Sequence, residues 1–457
     1  MVTHAKPLMA TCFVALLVLA GGIGCLEGTA AAVPAGAVWP GPQLRAPDSP
    51  PEAARSEQKE VKGYTLPPET YRRAVTYARA RYKLYFISFG YGLVVLLAVL
   101  RSRLAPRFRD LAERRSRRRA VQALMFAPPL LLTLDLLALP THLYGHWLSL
   151  YYHQSVQGWI SWLGDWAKNE LIVISFGTLV VTFLYWMMRR SPHRWWFYFW
   201  LGALPVIVVV VFLFPLVIEP LFFRFEPLAK TQPQLAAQIE ILVQHAGLRI
   251  PPDHLFEMKA SKKLNEVNAY VTGLGASKRV VVWDTTIAKM TTPQILSVFG
   301  HEMGHYVLDH VWKGMVFFAG VLLVFLYLGQ CALSRMLARS GKQWGIRGAD
   351  DWASLPVLLL LLLVFSFLSA PVDNAFSRYL EHQADIYALE VTHGILPDAS
   401  ETAAQAFQIL GEIDLEDPAP PPFVKFWLYT HPPLNERIVF ARTYDPWSKV
   451  ESPQFVH

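Results

Sequence analysis

The sequence predicts a mainly α-helical, polytopic transmembrane bundle or barrel carrying a smaller polar domain with a β-hairpin. Three observations lead there. Six apolar stretches of roughly 17 to 24 residues are long enough to cross a hydrocarbon core of about 30 Å. The composition, with 53% hydrophobic residues, 17% charged residues and 15 tryptophans, is too apolar and too aromatic for an ordinary soluble chain. Between the fourth and fifth stretches, residues 219–312 carry helix-period and β-prone patterns in a more polar background.

The chain opens with His4 and Lys6, then an apolar run from Leu8 to Leu19, small residues, and an Ala/Pro-rich stretch from Thr29 to Pro51. That is the layout of a secretory signal and a flexible linker. Residues 1–28 are therefore read as a signal peptide or a first membrane span, and 29–64 as the linker. Residues 65–218 form an N-terminal membrane domain with four spans, Leu84 to Leu100, Val121 to Leu139, Leu171 to Met188 and Trp195 to Ile218. Residues 219–457 form a second domain that includes two further spans, 315–333 and 355–370. Trp159, Trp162 and Trp166 before one span, and Trp195, Trp196 and Trp200 opening the next, read as interfacial anchors. Asp135 inside a span asks for a polar partner or cavity, and His142 and His146 read as solvated loop histidines. Cys12, Cys25 and Cys331 lie in or beside apolar segments and make no disulfide framework.

Positive charge orients the spans. Arginines crowd the connection from Arg101 to Arg119, Arg189, Arg190 and Arg194 fill the next alternate one, and Arg335, Arg339, Lys342 and Arg347 fill the third. The positive-inside rule makes that side cytoplasmic and places the second domain on the outer face. The net charge of +7 resides mostly in these connections, which points to anionic headgroups of the bilayer and not to nucleic acid.

Chemistry is concentrated at His301-Glu302-Met303-Gly304-His305. On a helix the two histidines lie ~40° apart around the axis, so both Nε2 atoms can converge on one ion. Glu302 sits beside them, where a general base reaches a zinc-activated water. Thr292-Pro293 and the apolar periodicity of Ile295, Leu296, Val298 and Phe299 predict that helix. His310, ~180° round the same helix from His301, is left out.

A zinc hydrolase needs a third protein ligand and an open position. Glu381 is the candidate, and Asp385, one helical turn on, can accept the remaining N–H of a ligand histidine. Pairing of Arg378 with Glu381 on a solvated acidic face is the plainer reading, and His382 is a rival ligand pointing ~100° away. Ahead of these, Asn268 to Thr272 and Arg279 to Trp283 are β-prone runs joined by Gly273-Leu274-Gly275-Ala276-Ser277, a hairpin whose exposed edge could pair with an extended peptide.

The His-Glu-Met-Gly-His stretch, Ser377-Arg378…Glu381-His382-Gln383-Ala384-Asp385, Asn268-Ala269-Tyr270-Val271 and Thr430-His431-Pro432-Pro433-Leu434 resemble, in order and spacing, the type I CAAX prenyl proteases. These are integral-membrane zinc metallopeptidases of the gluzincin type. The resemblance covers roughly residues 65 to 442 and implies a gluzincin-like fold, one Zn²⁺ per chain on His301, His305 and Glu381, and Glu302 as general base. It also implies His431 as stabiliser of the oxyanion, Asn268 and Ala269 as peptide-binding positions, and a membrane-associated or lipidated peptide as substrate. The signal-like N-terminus suggests a bacterial inner-membrane protein that accepts unmodified chains. A polytopic metal transporter or receptor with a non-catalytic zinc site is the alternative; it would place its ligands within the spans and gives Glu302 no task.

Overall fold

In the computed structural model, residues 63–272 and 278–456 are described. The signal-like segment, almost all of the linker, Cys12, Cys25 and the loop 273–277 lie outside the described residues. Among those described, six helices are long and apolar enough to cross a membrane. They are α1 (Pro68–Arg101), α3 (Arg119–Tyr151), α4 (Trp159–Arg190), α5 (Trp195–Leu213, extended by a π turn), α10 (His310–Trp344) and α11 (Leu355–Thr392). The short helix α2 (Leu104–Arg115) links α1 to α3.

Each apolar stretch read from the sequence lies within one of these helices, but most of the helices outrun the bilayer. At 1.5 Å per residue the 38 residues of α11 measure about 57 Å, nearly twice a hydrocarbon core. The surplus lifts the helix ends into the polar layers, where they meet the second domain. Its small elements are β1 (Phe225–Pro227), α6 (Leu228–Thr231), α7 (Pro233–His245), β2 (Leu255–Met258), β3 (Ala269–Thr272), β4 (Arg279–Trp283), α8 (Asp284–Lys289) and α9 (Thr292–Val307). After α11 come α12 (Ala399–Asp414), α13 (Pro422–Leu428) and α14 (Leu434–Thr443).

The three arginine-rich connections gather at one end of the bundle. Arg109 pairs with Asp351 at 2.5 Å, Arg347 with Glu113 at 2.7 Å and Asp110 at 3.0 Å, and Arg189 donates to the Asp350 carbonyl at 2.9 Å. The opposite end carries the second domain, where Val156 N–H donates to the Lys263 carbonyl at 2.9 Å and the Gln154 amide to the Ile413 carbonyl at 3.0 Å.

Two expectations for the membrane domain are corrected. His142 and His146 are on α3, not in a loop; His146 is buried and stacks on Trp162 with ring centroids 5.2 Å apart. Trp166 turns inward, donating its indole N–H to Asp135 at 2.9 Å, so it serves as partner to the intramembrane carboxylate and not as an interfacial anchor. Desolvation explains the second: a buried carboxylate draws in the nearest donor, even an amphipathic ring that would otherwise sit among headgroups.

The sheet has the order β1-β2-β4-β3, with β2 and β4 parallel and the other pairs antiparallel. The hairpin of β3 and β4 pairs Ala269 with Val282 and Thr272 with Arg279. β4 is buried along its length, as its Val-Val-Val run requires, and β3 is left at the edge. Ile295, Leu296, Phe299 and Met303 of α9 share one core with Val280 and Val282 of β4 and with α7, α11, α12 and α14.

Candidate active site

α9 begins on a reciprocal cap: Thr291, one residue before the expected cap, accepts from the third helical N–H, while its own N–H donates to Gln294 Oε1 at 2.9 Å. The helix then packs unusually close to α11. A Cβ on Gly304 would stand 3.1 Å from the Ala384 Cα, and one on Gly300 3.2 Å from the Thr392 side chain. The glycine inside the His-Glu-Met-Gly-His stretch thus has a packing reason: it lets α9 approach the far part of α11, which carries Glu381.

The approach brings three donors together. His301 Nε2 lies 3.1 Å from Glu381 Oε2, His305 Nε2 lies 3.5 Å from Glu381 Oε1, and the two Nε2 atoms are 3.1 Å apart. All the donor atoms fall within 4.8 Å of one another. Glu381 Oε2 is buried without a hydrogen-bond partner, as is the Nε2 of His431, 3.2 Å away. Orphaned atoms of this kind cost on the order of 1–3 kcal/mol each when left unsatisfied. The donor set, two imidazoles and a carboxylate, fits a divalent zinc-like cation. The electrostatics call for positive charge at the same point. Burial disfavours a charged His301, but the Asp385 and Glu381 carboxylates beside it outweigh that and push the imidazole up to about 10.

His301 and His431 are held from behind. His301 Nδ1 faces Asp385 Oδ1 at 2.8 Å, and Arg437 of α14 grips Asp385 through Nε at 2.9 Å and a terminal nitrogen at 2.5 Å. Arg437 is almost fully buried; desolvation opposes its charge, the Asp385 carboxylate more than restores it, and the guanidinium stacks 4.1 Å over Phe407. Arg378 does not pair with Glu381. It donates to the carbonyls of Tyr429 at 2.5 Å and Lys425 at 3.2 Å, docking the segment that leads to His431. Thr430 Oγ1 contacts His431 Nδ1 at 2.9 Å, and burial lowers the affinity of that imidazole for a proton despite the opposing pull of Glu381. His382 points elsewhere, its ring 4.6 Å from that of Phe440.

These groups open on a cleft of about 410 Å³. Glu302, His305, Glu381 and His431 line it on one side, and β3 with Asn268 and Ala269 on another. Phe212, Trp312, Met315 and Phe318 of the membrane helices form an apolar wall. Burial lifts the Glu302 carboxyl above its ordinary range, partly offset by His301 and His305, which makes it a better proton acceptor. Tyr270 directs its hydroxyl to Glu219 at 2.6 Å, beside Arg279, which reaches the same oxygen at 2.9 Å. The hairpin is tied there to the turn that follows α5.

Sequence reasoning missed His310. The helix that begins at Thr292 ends at Val307, Asp309 adopts φ 57°, and His310 opens α10 with its Nδ1 3.0 Å from His305 Nδ1. The ~180° estimate assumed one unbroken helix. No glycine or proline marks the break, so only the Leu308-Asp309 pair could have hinted at it.

The comparisons with known proteins agree with this geometry. The family model for peptidase family M48 matches residues 229–445, and the model for the CAAX prenyl protease N-terminal region, five membrane helices, matches residues 50–224. An uncharacterised metalloprotease of Bacillus subtilis, YhfN, is 35% identical over 391 residues, covering 86% of this chain and 89% of that protein. A CAAX prenyl protease 1 homolog of Dictyostelium discoideum is 30% identical over 59% of this chain, and the match spans 61% of that relative's length. The crystal structure of S. mikatae Ste24p shares the fold, with a TM-score of 0.71 over 84% of this chain and 93% of that one at 23% identity. Ligand candidates outside the apolar stretches, a cleft lined by Glu302 beside them, and relatives that are metalloproteases leave the transporter reading without support. The chain belongs to peptidase family M48 and is a multi-pass membrane metallopeptidase.

Proposed function

We propose that the chain is a zinc endopeptidase acting on peptides that reach the cleft from the membrane. The observation that carries this is the convergence of His301, His305 and Glu381 beside Glu302 in a cleft walled by an edge strand and apolar membrane helices. His301, His305 and Glu381 would hold one Zn²⁺, which when bound supplies Lewis acidity toward the scissile carbonyl and makes water acidic enough to attack near neutral pH. Glu302 takes the proton of the attacking water and hands it to the leaving amine. His431, held by Thr430 and by the segment docked on Arg378, donates toward the carbonyl oxygen as it gains charge. The edge of β3, with Asn268 and Ala269 at its start, pairs with the extended substrate and presents the scissile bond.

For the substrate, the names of relatives suggest CAAX-like chains, while the apolar wall suits any large apolar group, lipidated or not. The proposal is a general membrane endopeptidase for which prenylation is not required. A bacterial relative and the gathering of arginines at the end away from the second domain support an inner-membrane protein with its cleft on the outer face. Detergent-purified protein is incubated with one peptide in farnesylated and unmodified forms, beside a Glu302→Gln control. Equal, Glu302-dependent cleavage of both is expected; cleavage of the farnesylated form alone would make this a prenyl-protein processor, and no cleavage by zinc-loaded protein would remove the enzymatic reading. Labelling of single cysteines near Lys263 and Arg115 in intact cells tests the orientation, which is overturned if only the Arg115 site is reached from outside.

A further inference from the structure

A neutral imidazole that offers Nε2 to a metal must carry its proton on Nδ1, and that N–H needs an acceptor. His301 has one in Asp385, at 2.8 Å. The atom behind His305 is the Nδ1 of His310, at 3.0 Å, with the rings steeply inclined at 73°. His310 is buried, 3% exposed, and it reaches this place only because Asp309 takes the left-handed conformation that ends one helix and starts the next. For a non-glycine residue that conformation costs on the order of 1 kcal/mol, and such strain persists where the surroundings hold it.

We propose that His310 is the positioning residue for His305. It accepts the Nδ1 proton of His305, which fixes the tautomer and ring orientation that aim His305 Nε2 at Glu381. An imidazole that accepts at Nδ1 carries its own proton on Nε2. In His310 that atom is buried without a hydrogen-bond partner, and the neighbouring Gln383 has a buried Oε1 in the same condition, a donor beside an acceptor. Gln383 in turn donates through Nε2 to the Tyr379 hydroxyl at 3.1 Å. The two ligand histidines thus have different supports, an anionic carboxylate for His301 and a neutral polar chain for His305. A second carboxylate at this place would bring a further negative charge to a centre that already has Glu381, Asp385 and Glu302; a neutral acceptor orients the ring without adding one.

The inference rests on the reading of His301, His305 and Glu381 as metal ligands. Its test is the zinc affinity of full-length, detergent-purified protein, measured by chelator competition for wild type, His310→Leu and His310→Asn. Leucine removes the acceptor, while asparagine returns an oxygen close to the lost Nδ1. The leucine variant is expected to bind zinc about ten- to a hundredfold more weakly, with asparagine restoring most of the loss. Thermal unfolding of the three metal-free proteins is followed in parallel, and their midpoints should agree closely. Wild-type affinity in the leucine variant overturns the proposal. So does an asparagine variant as weak as leucine, and so does a metal-free leucine protein that fails to fold while the asparagine protein folds but binds no more tightly than a His305→Ala control. A wild-type protein that binds no zinc at all would instead refute the metal site itself.

Discussion

Arg437 and Asp385 form a buried, two-pronged ion pair, with Nε 2.9 Å from one carboxylate oxygen and a terminal nitrogen 2.5 Å from the other. The pair joins α14 to α11 directly behind His301 and fixes the acceptor for that imidazole. Removing Arg437 would leave a carboxylate buried without its counter-charge. Arg437→Ala is expected to destabilise the protein by about 3–5 kcal/mol, read as a fall in the thermal midpoint in detergent. Asp385→Asn keeps the shape and should cost less stability but lower zinc affinity by roughly ten- to a hundredfold.

Glu302 lines the cleft and makes no side-chain hydrogen bond or ion pair among the described residues. Glu302→Gln should therefore retain one zinc per chain by elemental analysis while hydrolysis falls by at least about 10²-fold. His305→Ala should give the opposite pattern of metal loss. Full zinc content in that variant would exclude His305 from the donor set.

The close crossing of α9 and α11 makes Gly304 intolerant of a methyl group. A Cβ there meets backbone at 3.1 Å, so Gly304→Ala is expected to cost about 1–3 kcal/mol and to spread the donors apart. Gly320, which faces open space on α10, is the control, and Gly320→Ala should leave both stability and zinc content unchanged.

Arg378 touches none of the reacting groups, yet it holds the carbonyls of Tyr429 and Lys425. Arg378→Ala should lower kcat roughly tenfold with zinc content intact, because His431 loses its anchorage while the donor set keeps its own. Single-turnover kinetics on a peptide substrate, with zinc measured on the same sample, check this; an unchanged kcat would detach His431 from that segment.

Local patterns were readable in the sequence, and long-range partnerships were not. The six spans follow from apolar length, the α9 helix from its cap and periodicity, and the β3–β4 hairpin from two β-prone runs around a glycine-rich turn. The convergence of Glu381 on His301 could be expected only from the spacing of whole motifs, since two membrane spans intervene. Arg437 and Trp166 acquire their roles from what burial does to Asp385 and Asp135, an effect of tertiary packing that leaves no periodic trace. His310 was misjudged because a single backbone angle at Asp309 breaks the helix without a glycine or proline to announce it.

The unbroken run of α11 from membrane span to Glu381 makes the helix a ruler. Glu381 stands eleven residues beyond Ala370, the last residue of the apolar stretch, which at 1.5 Å per residue is about 16 Å. An extended substrate covers about 3.3 Å per residue, so a substrate running alongside this helix would be cut about five residues from the level of Ala370. Selection of the bond would then depend on counting outward from the lipid, with little need for the cleft to read side chains. Adding one helical turn between Pro371 and Arg378 would move the cut by one or two residues along the same substrate.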